Sequence, residues 1–348
     1  AISLRSLGLQ RNSTELIEQA VAAYSDSLLE RRRSEVPLEW AQSQNNLAVA
    51  LLSLARHTND LNTLRRAVHA CEEALKERRR ERVPLQWALT MNNLGNALRT
   101  LGDELRDPKI LERALSSQAA TLPVRTRERV PFAWAGTKNN IGITLMSLAD
   151  HTDNNEHLRR AIAAFEDALR VRTRDRVPAD WASTRVNLAI ALRQLGEREK
   201  SADQIRRAAT ILREARDAQP RDRVPDDWAS TSYSLGLTLR TLGIREKSAA
   251  VLREAIAAFE AALEVRNAKD HSNAWAATKH NLGIAYRNLG QLEDSTEPIR
   301  KAIEAYEAAL TVYSRERTPR SWAQTHNSLG VALDRLARRT NDPERMKA

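Results

Sequence analysis

Tryptophan stands at positions 40, 87, 134, 181, 228, 275 and 322, an unvarying step of 47 residues through a chain of 348. Seven copies in register cannot be chance, and a period of roughly 20–50 residues is the mark of stacked repeats. Such a unit cannot bury its apolar side alone, so neighbouring copies must cover one another. Composition narrows the choice further. Apolar residues make up 42% of the chain, enough for a core, while 4% aromatic residues and 11 glycines are few for a sandwich, a barrel or a doubly wound sheet. An all-α array remains, spanning 1–348 as one solenoid of about seven repeats.

The spacing inside each period predicts two helices. In helix A apolar residues follow Trp at +7, +11 and +14, as in Trp134, Ile141, Leu145 and Leu148. At about 100° per residue these form one stripe. A proline three before Trp (Pro37, Pro84, Pro131, Pro178, Pro225, Pro319) suits the first turn, and Ser272 replaces it in the sixth repeat. Helix B is announced 20 after each Trp by Asp60, Asp107, Asn154, Ser201, Ser248, Ser295 and Asp342, with Ser13 at the matching place near the start. Each is an N-cap type whose side-chain oxygen accepts a free backbone N–H. Its stripe reads Leu158, Ala161, Ile162, Phe165, Ala168 and Leu169 in the third repeat. Both ends of the sequence cut through a period, which predicts a fragment of a longer protein with truncated terminal repeats.

Small residues predict where the helices meet. Ala48, Gly95, Gly142, Ala189, Gly236, Gly283 and Gly330 lie at +8, and Ala67, Ala114, Ala161, Ala208, Ala255 and Ala302 at +27. Glycine inside a helix costs about 0.5–1 kcal/mol relative to alanine, so its return in most repeats predicts a close approach.

The segments Leu94-Gly95-x2-Leu98, Ile141-Gly142-x2-Leu145 and Leu282-Gly283-x2-Tyr286, followed by Ala161-x3-Phe165, Ala255-x3-Phe259 and Ala302-x3-Tyr306, resemble the tetratricopeptide repeat family. Trp sits seven before Leu instead of three, one helical turn farther on the same face. The longer period resembles the arrays of kinesin light chains and large bacterial signalling proteins. The resemblance implies a right-handed superhelix of stacked antiparallel helix pairs, with a concave groove lined by helix A that binds a partner. HEAT or armadillo arrays are a minor alternative.

Candidate functional positions follow from that groove. At +5, +9 and +12 the chain offers Asn92 and Asn139, then Ile190 with Arg193, Tyr233 with Leu237 and Arg240, and His280 with Ile284 and Arg287. Apolar side chains flanked by guanidinium groups suit a protein or peptide with acidic and apolar character. Asn at +6 (Asn46, Asn93, Asn140, Asn187, Asn281) either bonds a bound peptide, as the resemblance implies, or joins two helices. The tryptophans themselves are expected in the core.

Lys+Arg 55 against Asp+Glu 45 gives +10, and only nine of the 55 are Lys. Arginines gather in the links Arg78-Arg-Arg-Glu-Arg-Val-Pro84, Arg125-Thr-Arg-Glu-Arg-Val-Pro131, Arg172-Thr-Arg-Asp-Arg-Val-Pro178 and Arg221-Asp-Arg-Val-Pro225. The acids within them (Glu81, Glu128, Asp175, Asp222) predict ion-pair ladders; a basic edge holding nucleic acid is the alternative. Cys71 is the sole cysteine and is expected as a buried apolar residue, not a nucleophile. There is no His-Glu-x-x-His, Walker or dinucleotide loop motif, and no stretch of roughly 18 apolar residues. The expectation is a non-catalytic, cytoplasmic interaction array, the sensor or scaffold region of a larger bacterial signalling or regulatory protein, with no cofactor, metal or membrane contact.

Overall fold

A computed structural model describes residues 1–11, 13–58 and 60–340. The described residues form fifteen α-helices and no strand, in two compact units, 1–172 and 173–348. Unit 1 holds α1 (Ile2–Gln10), α2 (Thr14–Glu30), α3 (Pro37–Thr58), α4 (Leu61–Glu77), α5 (Pro84–Leu105), α6 (Pro108–Ala119), α7 (Pro131–Thr152) and α8 (Asn155–Leu169). Unit 2 holds α9 (Pro178–Arg198), α10 (Ala202–Asp217), α11 (Pro225–Glu246), α12 (Ala249–Leu263), α13 (Ser272–Leu292), α14 (Thr296–Leu310) and α15 (Pro319–Thr340). Within each unit every helix packs on the next, and odd-numbered helices also touch across a period, as α3 does α5 and α11 does α13. Each odd helix from α3 onward is a helix A carrying one Trp, and the even helices are the B partners.

The local signals decide where these helices begin. Six A helices start on the expected prolines and α13 on Ser272. B helices start after the expected caps. Asp60 accepts from the N–H of Asn62 at 2.9 Å and of Thr63 at 3.0 Å, and Asp107, Asn154, Ser13, Ser201 and Ser248 cap in the same way. Ser295 has the extended backbone of a cap but no side-chain bond. Asp342 lies outside the described residues. A signal absent from sequence reasoning tightens this turn. Arg106, Asp153, Lys200, Lys247 and Asp294, each directly before a cap, adopt left-handed φ near 50°, and the cap N–H of Asp107, Ser201, Ser248 and Ser295 returns to the carbonyl of the glycine five back. That 6→1 bond closes helix A in the manner of a Schellman turn.

Leu and Ala fill the interior, and the expected close approach has a specific cause. A Cβ on Gly142 would lie 2.5 Å from the Phe165 ring, one on Gly236 2.7 Å from Phe259, and one on Gly283 2.6 Å from Tyr306. The ring of helix B rests on the bare backbone of helix A; all three aromatics are fully buried. Gln118 takes that place in the second repeat, buried, donating to Asn96 at 3.2 Å and accepting from Thr144 at 2.9 Å. Cys71 holds it in the first, where burial pushes the thiol up to about 12.

The seven tryptophans are only half-buried, and Trp134, Trp275 and Trp322 meet the core expectation on one side, each packed on a small apolar cluster. Trp134 packs on Ala135, Ala168 and Val171, a small cluster at the link end of the hairpin. Its outer side is closed by a cation: Lys138 lies 5.5 Å from the ring centroid. Arg33, Arg80 and Arg221 do the same over Trp40, Trp87 and Trp228, at 5.3, 5.6 and 5.1 Å.

Candidate functional site

The A-helix positions read from the sequence separate into two kinds. In unit 1 they are largely consumed by the fold. Asn45 is 3% exposed, and its Oδ1 accepts from the Thr90 hydroxyl at 3.1 Å and from Asn93 Nδ2 at 3.0 Å. Asn92 is buried and accepts from Asn140 Nδ2 at 3.2 Å. Asn139 is buried as well. The +6 amide of one repeat thus donates to the +5 amide of the repeat before it, which gives the inter-helix role to Asn93 and Asn140. Asn92 is thereby turned between helices instead of toward a partner.

Unit 2 carries different chemistry at the same positions. Tyr233 and His280 replace Asn, and both turn toward helix B: Tyr233 lies 5.8 Å from the Phe259 ring and His280 5.7 Å from Tyr306. Asn281 keeps the +6 role by donating to the Tyr233 hydroxyl at 3.0 Å. His280 Nδ1 lies 3.0 Å from the Thr325 hydroxyl. Burial, with the Arg240 and Arg287 charges, lowers its pKa to about 4, so the ring is neutral at pH 7. Leu237 packs at the edge of the Phe259 cluster, and Ile190 is half-buried on α9.

Three of the expected residues, Arg240, Ile284 and Arg287, come together in one cleft. It has a volume of about 680 Å³ and is also lined by Glu197, Lys200, Thr241, Ile244, Arg245 and Asn288. Arg193 joins it through Glu197, to which it donates at 2.7 Å; the same carboxylate accepts from Thr241 at 3.0 Å. Arg240 donates to Asn281 Oδ1, and burial lowers its pKa. Arg287 has no hydrogen bond or ion pair among the described residues, and the Nε atoms of both arginines are buried without an acceptor. Cations therefore outnumber acids in this cleft.

The Arg-rich links resolve into layers that the sequence does not separate. The arginine nine before Trp turns toward the hairpin, whereas Arg221, seven before Trp228, stays exposed. Arg78 is fully buried, donating to Thr90 at 2.9 Å and to Gln42. Arg125, also buried, donates to Thr137 at 3.2 Å, and Arg31 and Arg266 reach Ser43 and Thr278 likewise. The visible signal was an Arg nine before Trp paired with a hydroxyl three after it. Burial lowers the pKa of both Arg78 and Arg125. The third residue stacks on Trp where it is Arg33 or Arg80. Glu81, Glu128, Asp175 and Asp222 are exposed. Link ion pairs run instead to acids at the end of helix B, from Arg33 to Glu77 at 2.6 Å and from Arg221 to Glu264 at 2.5 Å.

Among the described residues no group of three His, Cys, Asp or Glu could hold a metal ion, and no helix is long and apolar enough to cross a membrane.

Residues 275–310, which take in most of α13 and all of α14, match the tetratricopeptide repeat family model. No curated protein matches the chain. Similar solved structures include the C-terminal part of a TPR repeat-containing protein from Cytophaga hutchinsonii, at 12% identity and a TM-score of 0.48, covering 94% of this chain and 99% of that one. YrrB, described as a TPR protein with an unusual peptide-binding site, is 19% identical over 74% of this chain and 99% of its own, with a TM-score of 0.41. A human IFIT1 dimer with PPP-AAAA is 15% identical over 99% and 75%, with a TM-score of 0.43. The matched segment covers one hairpin of the array, and it is over these residues that the chain matches the tetratricopeptide repeat family; its Trp recurs in register through six further periods.

Proposed function

We propose that this chain is a non-catalytic recognition array whose unit 2 binds an acidic, partly apolar protein segment on its A-helix face. The observation that carries the reading is the excess of guanidinium groups at Arg240 and Arg287 beside Ile244 and Ile284. Partly buried cations without counter-charges favour an anionic partner, because pairing offsets the cost of their desolvation. Ile190 and Arg193 extend this face along α9. A sensor or scaffold role in a larger cytoplasmic bacterial signalling protein is the setting we infer from the family resemblance.

The test is fluorescence anisotropy with a labelled peptide of alternating Glu and Leu. Arg193→Glu, Arg240→Glu and Arg287→Glu together are expected to weaken binding by roughly 100-fold or more while circular dichroism stays unchanged. Unchanged affinity in the triple variant removes the proposal.

Nucleic acid along the Arg-rich edge is the weaker reading. Arg78 and Arg125 are inside, and Arg33, Arg80 and Arg221 lie over indole rings. Binding of that kind would show a steep loss with salt through counterion release. A gel shift at low salt tests it.

A further inference from the structure

We propose that the cleft between α11 and α13 binds a phosphoryl group, so that the partner segment of unit 2 is a phosphorylated one. This rests on the recognition role just given and narrows its chemistry.

A neutralising pattern along the A helices is interrupted on α11 and α13. Where an arginine stands 12 after Trp, an acid one turn later can pair with it: Arg99 meets Asp103 at 2.8 Å and Arg193 meets Glu197 at 2.7 Å. The same place holds Ile244 after Arg240 and Gln291 after Arg287, so neither guanidinium group has a carboxylate one turn on along its own helix. The cleft lining adds Lys200 and Arg245. Its one acid, Glu197, is already shared by Arg193 and Thr241. Four cations therefore face one committed carboxylate.

A single carboxylate would leave most of this charge unmatched. A phosphoryl monoester carries about two negative charges and three acceptor oxygens, which two guanidinium forks can grip together. Arg240 has already given one donor to Asn281, while Arg287 has given none among the described residues. Ile244, which is 46% exposed, and Ile284 offer apolar contact to the side chains flanking such a group. A nucleic-acid backbone would instead need cations along a row of phosphates.

The experiment is calorimetry on the whole chain at low salt, with the peptide Leu-Leu-phosphoserine-Leu-Leu and its Glu counterpart. The phosphopeptide is expected to bind about tenfold tighter or more. Arg240→Gln with Arg287→Gln should remove that preference. Ile244→Glu should remove it too, with every guanidinium still present, by supplying the acid that α9 has at Glu197. Its exposed position keeps the fold, so it decides the matter if the double variant does not fold. Equal affinity for the two peptides, both lost in the variants, overturns the phosphoryl reading and leaves the acidic groove standing. No binding of either overturns both. Displacement of the phosphopeptide by a single-stranded oligonucleotide, lost in Ile244→Glu, reassigns the cleft to nucleic acid and overturns the proposal.

Discussion

Units 1 and 2 repeat the same hairpin but use their A-helix faces differently. In unit 1 the face closes on itself: Asn45 and Asn92 accept from the amides of the following repeat, and Arg99 has Asp103. In unit 2 Tyr233 and His280 take that place and lean onto the B-helix aromatics, while the Tyr233 hydroxyl still accepts from Asn281. Arg193 keeps its acid at Glu197, but Arg240 and Arg287 have Ile244 and Gln291 where an acid could follow. One repeat plan thus yields a self-satisfied face and a charged, receptive one. The difference rests on two positions, +5 and +16, in the repeats of Trp228 and Trp275.

The contrast can be broken most strongly at the glycines. Gly283→Ala should destabilise by about 1–3 kcal/mol, since its Cβ would meet the buried Tyr306 ring. The same change at Gly330, where nothing lies within 4 Å, should stabilise by about 0.5–1 kcal/mol through helix propensity. Urea unfolding of the pair checks both signs. Equal effects would mean that the position, not the ring, matters.

Asn45→Ala should cost about 1–2 kcal/mol, because the Thr90 and Asn93 donors lose their shared buried acceptor. Asn93→Ala, whose side chain is less buried, should cost less; denaturation midpoints compare them.

The smallest effect sharpens unit 2. His280 titrates at about 4 in the fold against an ordinary value near 6.5. The unfolded chain therefore binds the proton more readily, and stability contributed by the neutral ring is present above about 6.5 and lost as pH falls through about 4. In a His280→Asn variant the decline between pH 7 and pH 4.5 should be flatter than in the parent, read by urea unfolding at each pH. A matching slope would show that this ring is not desolvated.

Much of the array was legible because its signals are local. Pro178 starts α9 and Ser201 caps α10 through bonds within a few residues, and those bonds need no partner repeat. The candidate site was legible in part. Arg240, Ile284 and Arg287 do share a cleft, since one stripe of adjacent A helices places them on one face. Asn92, on the same stripe, is buried, because its amide is held between helices by Asn140 of the next repeat.

The sequence by itself determined the repeated unit, its helix ends, its caps and the small residues that mark a close approach. Tertiary structure alone decided which polar side chains are spent in holding repeats together. Arg78 reaches Gln42 across 36 residues and Asn93 reaches Asn45 across 48. Those bonds depend on how far one hairpin turns and slides against the next, and that geometry comes from the packing of whole helix faces, which no spacing within a single helix specifies.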